Sequence, residues 1–91
     1  MGDVVRVRAV VRGRVQGVFY RAAAEREAVR LGVAGSAANR PDGSVGLVLE
    51  GERAAVDAML CWAADGPPSA QVTAVEVTDE TPTGGRGFST R

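Results

Sequence analysis

The chain carries little of the usual equipment for catalysis. It has no histidine and one cysteine, Cys61, so a zinc site, a disulfide framework and histidine-based acid–base chemistry are excluded. Any reaction must run on arginine, side-chain amides, backbone groups or carboxylates. The stretch that gathers such groups is Gly13-Arg14-Val15-Gln16-Gly17-Val18-Phe19-Tyr20-Arg21. Its two glycines, four residues apart, let the backbone curl so that successive N–H groups can point into one hollow, and such a hollow attracts anions. Arg21 ends the stretch. In the first turn of a helix beginning near Tyr20, a cation opposes the macrodipole unless an anion accompanies it. An ordinary strand-to-helix turn with a solvated arginine has the same local pattern, and the pattern alone does not separate the two.

The elements on either side must hold this stretch. From Val4 to Arg12, Val5, Val7, Ala9 and Val11 alternate with Arg6, Arg8 and Arg12, the pattern of a strand with one wet face, and Val10 fits if the strand is central. Beyond the loop, Tyr20, Ala24, Ala28 and Leu31 fall at helical spacing and Gly32 supplies the stop, predicting a helix over Tyr20–Leu31. Glu27 lies near its apolar stripe, and the spacing gives no account of it beyond an arginine partner. Val33–Asn39 and the alternating Val45, Leu47 and Leu49 flank Pro41-Asp42-Gly43, a turn by its chemistry, so the two runs form a β-hairpin that ends at Gly51. Val56, Met59, Leu60 and Ala63 mark a second amphipathic helix, ended by Asp65-Gly66-Pro67-Pro68. Ala70 and Val72 share one phase and Val75 and Val77 the other, which predicts a β-bulge near Thr73. Thr81–Gly87 reads as a mobile loop, and Phe88–Arg91 can return as a short edge strand. The order β-α-β-β-α-β implies an α+β, ferredoxin-like sandwich, an antiparallel sheet with both helices on one face and a short fifth strand.

Composition narrows the function classes. A chain of 91 residues, 45% hydrophobic and 24% charged, fits one globular domain over residues 1–91. All 11 basic residues are arginine and 11 acids balance them, so no general attraction to nucleic acid is implied. Arg6 and Arg8 on the wet face lack the stacking aromatics of an RNA-binding sheet. No run resembles a membrane span or a signal-peptide core, which leads to the expectation of a cytoplasmic protein, and neutrality to that of a monomer. Cys61 reads as a small buried thiol and Trp62 as helix packing.

In the ferredoxin-like arrangement the end of the second strand approaches the glycine loop, which brings Asn39 towards Arg21. An asparagine there can serve its own turn or hold a water through its amide oxygen. The Gly13–Arg21 stretch resembles the signature of the acylphosphatases, small enzymes that hydrolyse the carboxyl–phosphate bond. Asn39 with Pro41-Asp42-Gly43 is similar to that family's second motif, and Gly66-Pro67-Pro68-Ser69-Ala70 and Gly87-Phe88 agree in order along the chain. The resemblance implies that the backbone amides of Val15, Gln16, Gly17, Val18 and Phe19, with the guanidinium of Arg21, hold the phosphate, and that Asn39 orients the attacking water. It implies a small acyl phosphate as substrate, inorganic phosphate as product ligand, and neither metal nor cofactor. Ser36 stands where the family commonly has tryptophan and Ala38 where it has a basic residue. These departures imply weaker packing of the second strand and a lost charge at the site entrance, and motivate an alternative, a non-catalytic phosphate-binding or interaction module. Tyr20, where phenylalanine is usual, is expected to keep its ring in the core and its hydroxyl at an edge.

Overall fold

A computed structural model describes residues 3–91. The elements run β1 (Val4–Arg14), α1 (Tyr20–Leu31), β2 (Ala34–Asn39), β3 (Val45–Glu52), α2 (Arg53–Asp65), β4 (Gln71–Glu80) and β5 (Phe88–Thr90). They form one sheet in the order β4-β1-β3-β2-β5. The pairs β1–β3, β1–β4 and β2–β3 are antiparallel, as expected of the ferredoxin-like fold. The terminal strand differs: β5 runs parallel to β2, with Gly35 opposite Phe88 and Ala37 opposite Thr90.

Alternation decides what each strand contributes. Val7, Ala9 and Val11 of β1, Ala37 of β2 and Val45, Leu47 and Leu49 of β3 are all buried on the face that meets the helices. Tyr20, Ala24 and Ala28 of α1 and Val56, Met59 and Ala63 of α2 close the core from the other side. The alanines of α1 let that helix lie near the sheet. Leu60 is only half-buried, at the margin of the α2 stripe.

The opposite face is a lattice of charge. Arg6 bonds Glu80 at 3.0 Å and Glu50 at 3.1 Å, its register partners on β4 and β3. Arg8 meets Glu80 at 2.8 Å and Arg12 meets Glu76 at 3.1 Å. Away from that face, on α1, Glu27 takes Arg30 as its partner, at 2.6 Å.

Several boundaries move for physical reasons. β1 extends through Gly13 and Arg14, because the predicted bulge lies on β4: Arg12 faces Ala74 and Gly13 faces Val72, leaving Thr73 as the extra residue. Gly13 has φ 124°, and a Cβ there would run into the carbonyl oxygen of Gln71. Glycine is needed for that close approach rather than for a turn. β3 continues through Gly51 to Glu52, paired with Val5 and Val4 of β1. Cys61 is exposed on α2, not buried, since it lies off the stripe of Val56, Met59 and Ala63. The Thr81–Gly87 segment is irregular but held: Glu50 accepts the N–H groups of Thr83 and Gly84. Ser36 lies on the open sheet face, in the opposite phase to the buried Ala37, so it does not loosen the packing between sheet and helices.

Candidate active site

With Gly13 and Arg14 in the strand, the loop proper is Val15–Phe19, bridging the central strand to α1. Val15, 1% exposed, pins its first residue into the core. Phe19, the last, has φ 62° and ψ 23°, a left-handed conformation that costs a residue with a Cβ about 1–2 kcal/mol. Its ring is 80% exposed, so no burial of that side chain offsets the strain. The conformation instead sets the angle at which the chain enters α1.

Three anchors hold the loop. The Gln16 side-chain amide donates to the carbonyls of Arg40 and Ser44, each at 2.8 Å, tying the loop to the β2–β3 turn. The Ser69 hydroxyl donates to the Val18 carbonyl at 2.8 Å, tying it to the segment before β4. At the start of α1, Tyr20 donates to the Ala63 carbonyl of α2 at 2.8 Å, so its hydroxyl is buried rather than at an edge. The Tyr20 ring packs on Trp62, centroids 5.3 Å apart, which gives Trp62 the packing role expected of it.

The amino end of α1 is left without the usual complements. Phe19 provides no side-chain cap, and the first turn contains no acidic residue. The Ala23 N–H donates to the Phe19 carbonyl at 3.0 Å, and the N–H groups of Tyr20, Arg21 and Ala22 precede that bond, with no helical carbonyl behind them. Arg21 adds a full positive charge at this positive pole. Its Nη1 donates to the main-chain oxygen of Arg91, just beyond β5. One bond is thereby spent orienting a planar fork that has five N–H donors.

A cavity of about 280 Å³ opens at this helix end, lined by Val15, Gly17, Phe19, Tyr20, Arg21, Ala22 and Asn39. Of the residues singled out in the sequence, Val15, Gly17, Phe19, Arg21 and Asn39 are therefore brought together. Gln16 and Val18 are not in the lining: Gln16 turns its side chain to the hairpin, and Val18 is half-buried against the core. Asn39 ends β2, and the turn after it is held by Asp42. The Asp42 carboxylate accepts the Ser44 N–H at 3.0 Å and the Ser44 hydroxyl at 2.5 Å. The Ser44 bonds, helped by Arg12 and Arg40, hold the Asp42 carboxyl down at about 2. Asn39 is exposed at the cavity. Among the described residues, no group of three or more acidic or cysteine side chains could hold a metal ion.

Sequence reasoning missed three contributors. Gln16 stood inside the motif, but only its backbone was singled out. Ser69 stood in a block that carried the resemblance, without a role. Arg91 gave no signal, because its contribution is a main-chain oxygen. A larger hollow of about 630 Å³ lies on the open sheet face, where Ser36, Ala38 and Gly46 form the floor.

Comparison with known proteins identifies the family. The acylphosphatase family model matches residues 7–90. A protein named acylphosphatase from Rubrobacter xylanophilus is 53% identical over 87 residues, covering 94% of this chain and 79% of the relative. One of the same name from Anaeromyxobacter dehalogenans is also 53% identical over 87 residues, covering 96% and 94%. The crystal structure of acylphosphatase from Bacillus subtilis is similar at a TM-score of 0.92 and 34% identity, covering 96% of this chain and 98% of that one. With a family match running nearly from end to end and identities above one half among its relatives, this chain belongs to the acylphosphatase family.

Proposed function

We propose that the chain hydrolyses small acyl phosphates to carboxylate and inorganic phosphate at the cavity beside α1. The observation that carries this reading is the meeting of an uncapped helix end, Arg21 and Asn39 around one cavity. Helix N–H groups, the loop amides of Val15–Phe19 and the guanidinium together favour a dianionic phosphoryl group. Asn39, at the lip, holds the attacking water by its amide oxygen. The water oxygen bonds to phosphorus, the bond from phosphorus to the acyl oxygen breaks, and the carboxylate leaves with the electron pair. One water proton stays on the phosphate and the other passes to solvent. A carboxylate is a good leaving group and needs no general acid, so positioning and charge stabilisation suffice. That fits a chain without histidine.

The alternative of a phosphate-binding module without chemistry was motivated by Ser36 and Ala38. Both belong to the open face of the sheet, outside the cavity lining, and background turnover with phosphate binding retained is the result that would favour this alternative.

The test is steady-state hydrolysis of benzoyl phosphate with a chelator present. Turnover is expected in wild type and loss in Arg21→Ala and Asn39→Ala. In calorimetric titration with inorganic phosphate, Asn39→Ala should still bind and Arg21→Ala should not. Full turnover in both variants would overturn the site assignment.

A further inference from the structure

The Glu50 carboxylate has no place in the cavity, yet its hydrogen bonds lead back to Arg21. Glu50 lies on the open face of β3 and is 3% exposed. Its oxygens accept the Thr83 N–H at 3.0 and 3.2 Å, the Gly84 N–H at 2.6 Å, the Thr83 hydroxyl at 3.1 Å and Arg6 Nη1 at 3.1 Å. A carboxylate is acceptor-only with about four lone-pair sites, and here they are matched almost one for one. Two of the donors are main-chain groups of the 81–87 segment, which has no regular structure of its own. That segment delivers β5 to the sheet edge.

The rest of the path is also made of hydrogen bonds. The Gly35 N–H of β2 donates to the Gly87 carbonyl at 2.9 Å, immediately before β5. Four residues later the Arg91 N–H donates to the Ala37 carbonyl at 2.8 Å, and the Arg91 oxygen accepts from Arg21. A three-residue edge strand makes too few ladder bonds to hold its place alone. Its two ends are a bond to a guanidinium and a loop pinned by one buried carboxylate.

We infer that Glu50 is a positioning residue for Arg21, anchoring the 81–87 loop and through β5 fixing the oxygen that orients the guanidinium. This inference rests on the reading of Arg21 as the phosphate clamp. Without the anchor, β5 frays, Arg21 loses its orienting partner, and phosphate must pay for ordering the guanidinium on binding.

The test compares Glu50→Gln and Glu50→Ala with Val56→Ala, a core truncation on α2 that destabilises the fold without touching β5 or its loop. Glutamine keeps the size of Glu50 but places an NH₂ donor against the loop N–H groups, so it remains informative if the alanine variant does not fold. Phosphate affinity by calorimetry, KM and kcat for benzoyl phosphate, and amide exchange at Gly35 and Arg91 are measured. In Glu50→Gln, phosphate affinity should fall by about fivefold or more, within the usual range of coupling between sites. KM should rise more than kcat falls, and both amides should exchange faster. Val56→Ala should show lowered stability with phosphate affinity retained. Glu50→Gln with wild-type phosphate affinity, or an equal loss in Val56→Ala, would overturn the inference. Retained phosphate binding in Arg21→Ala would instead overturn the clamp itself.

Discussion

Replacing Tyr20 by phenylalanine removes one oxygen atom from a position that is 1% exposed, and the consequence falls on α2. The Tyr20 hydroxyl donates to the Ala63 carbonyl at 2.8 Å. In a continuing helix that carbonyl would accept from the residue four positions on, but that residue is Pro67, which has no N–H. The chain has in any case left the helix at Gly66, φ 68° and ψ −171°. The phenol therefore stands in for the missing turn, and in the variant a buried carbonyl is left without a partner. Such an orphan costs about 1–3 kcal/mol. Burial raises the phenol's pKa, so it stays a protonated donor well into the alkaline range. The ring remains against Trp62, so no aromatic packing is lost to confuse the measurement. In a domain of this size each kcal/mol moves the melting temperature by about 4–8 °C. Thermal unfolding followed by circular dichroism should accordingly show a fall of roughly 4–24 °C. A variant that melts with or above wild type would refute the reasoning, since it would mean that water or a small backbone shift satisfies Ala63 at no cost.

Three further outcomes are expected. Gly13→Ala should cost more than the roughly 1–2 kcal/mol of a strained conformation, because the new methyl also meets the Gln71 carbonyl; denaturant titration reads this, and a wild-type midpoint would contradict the bulge geometry. Acid should destabilise the fold through Glu50 and Asp42. The Thr83 and Gly84 N–H groups, with Arg6, hold Glu50 at about 2, and Ser44, with Arg12, holds Asp42 at about 2. Both pKa values are lowered on folding, so their contribution is present above the ordinary carboxylate range and is lost as pH falls from about 4.5 towards 2. Urea midpoints measured across that window should decline, less steeply in Glu50→Gln; a flat profile would refute the assignment. Cys61, exposed on α2, should react completely with a thiol reagent under native conditions, whereas reaction only after denaturation would contradict its placement.

Local signals survived well in the sequence, and contacts across the fold did not. The helix Tyr20–Leu31 was readable because the apolar spacing and Gly32 are both short-range features. The bulge at Thr73 was readable from a phase slip, since a strand cannot change the face of its side chains without an extra residue. Gly13 misled for the same local reason: glycine before a loop reads as turn, while its cause here is the close approach of β4. Glu50 drew no reading from the sequence. Its partners in the loop are 33 and 34 positions away, and nothing in the spacing announces them. Of the site, topology was the part that brought Asn39 towards Arg21, while the roles given to both came from the resemblance to the acylphosphatases. The left-handed Phe19 was not legible, because a bulky residue gives no hint that it will accept such a conformation.

The placing of β1 at the middle of the sheet also bears on how the protein comes into being. This first strand pairs with β3 and, on its other edge, with β4, whose residues 71–80 are synthesised some sixty positions later. Arg21 and Asn39 thus emerge well before β4, and the scaffold that holds them cannot close until residues 71–80 have followed. Pairings this distant in sequence slow folding, because the entropy of closing the loop is spent before contacts repay it. Until then the nascent chain presents an unpaired edge of β1, and the charged face of Arg6, Arg8 and Arg12 keeps one side of that strand soluble while it waits.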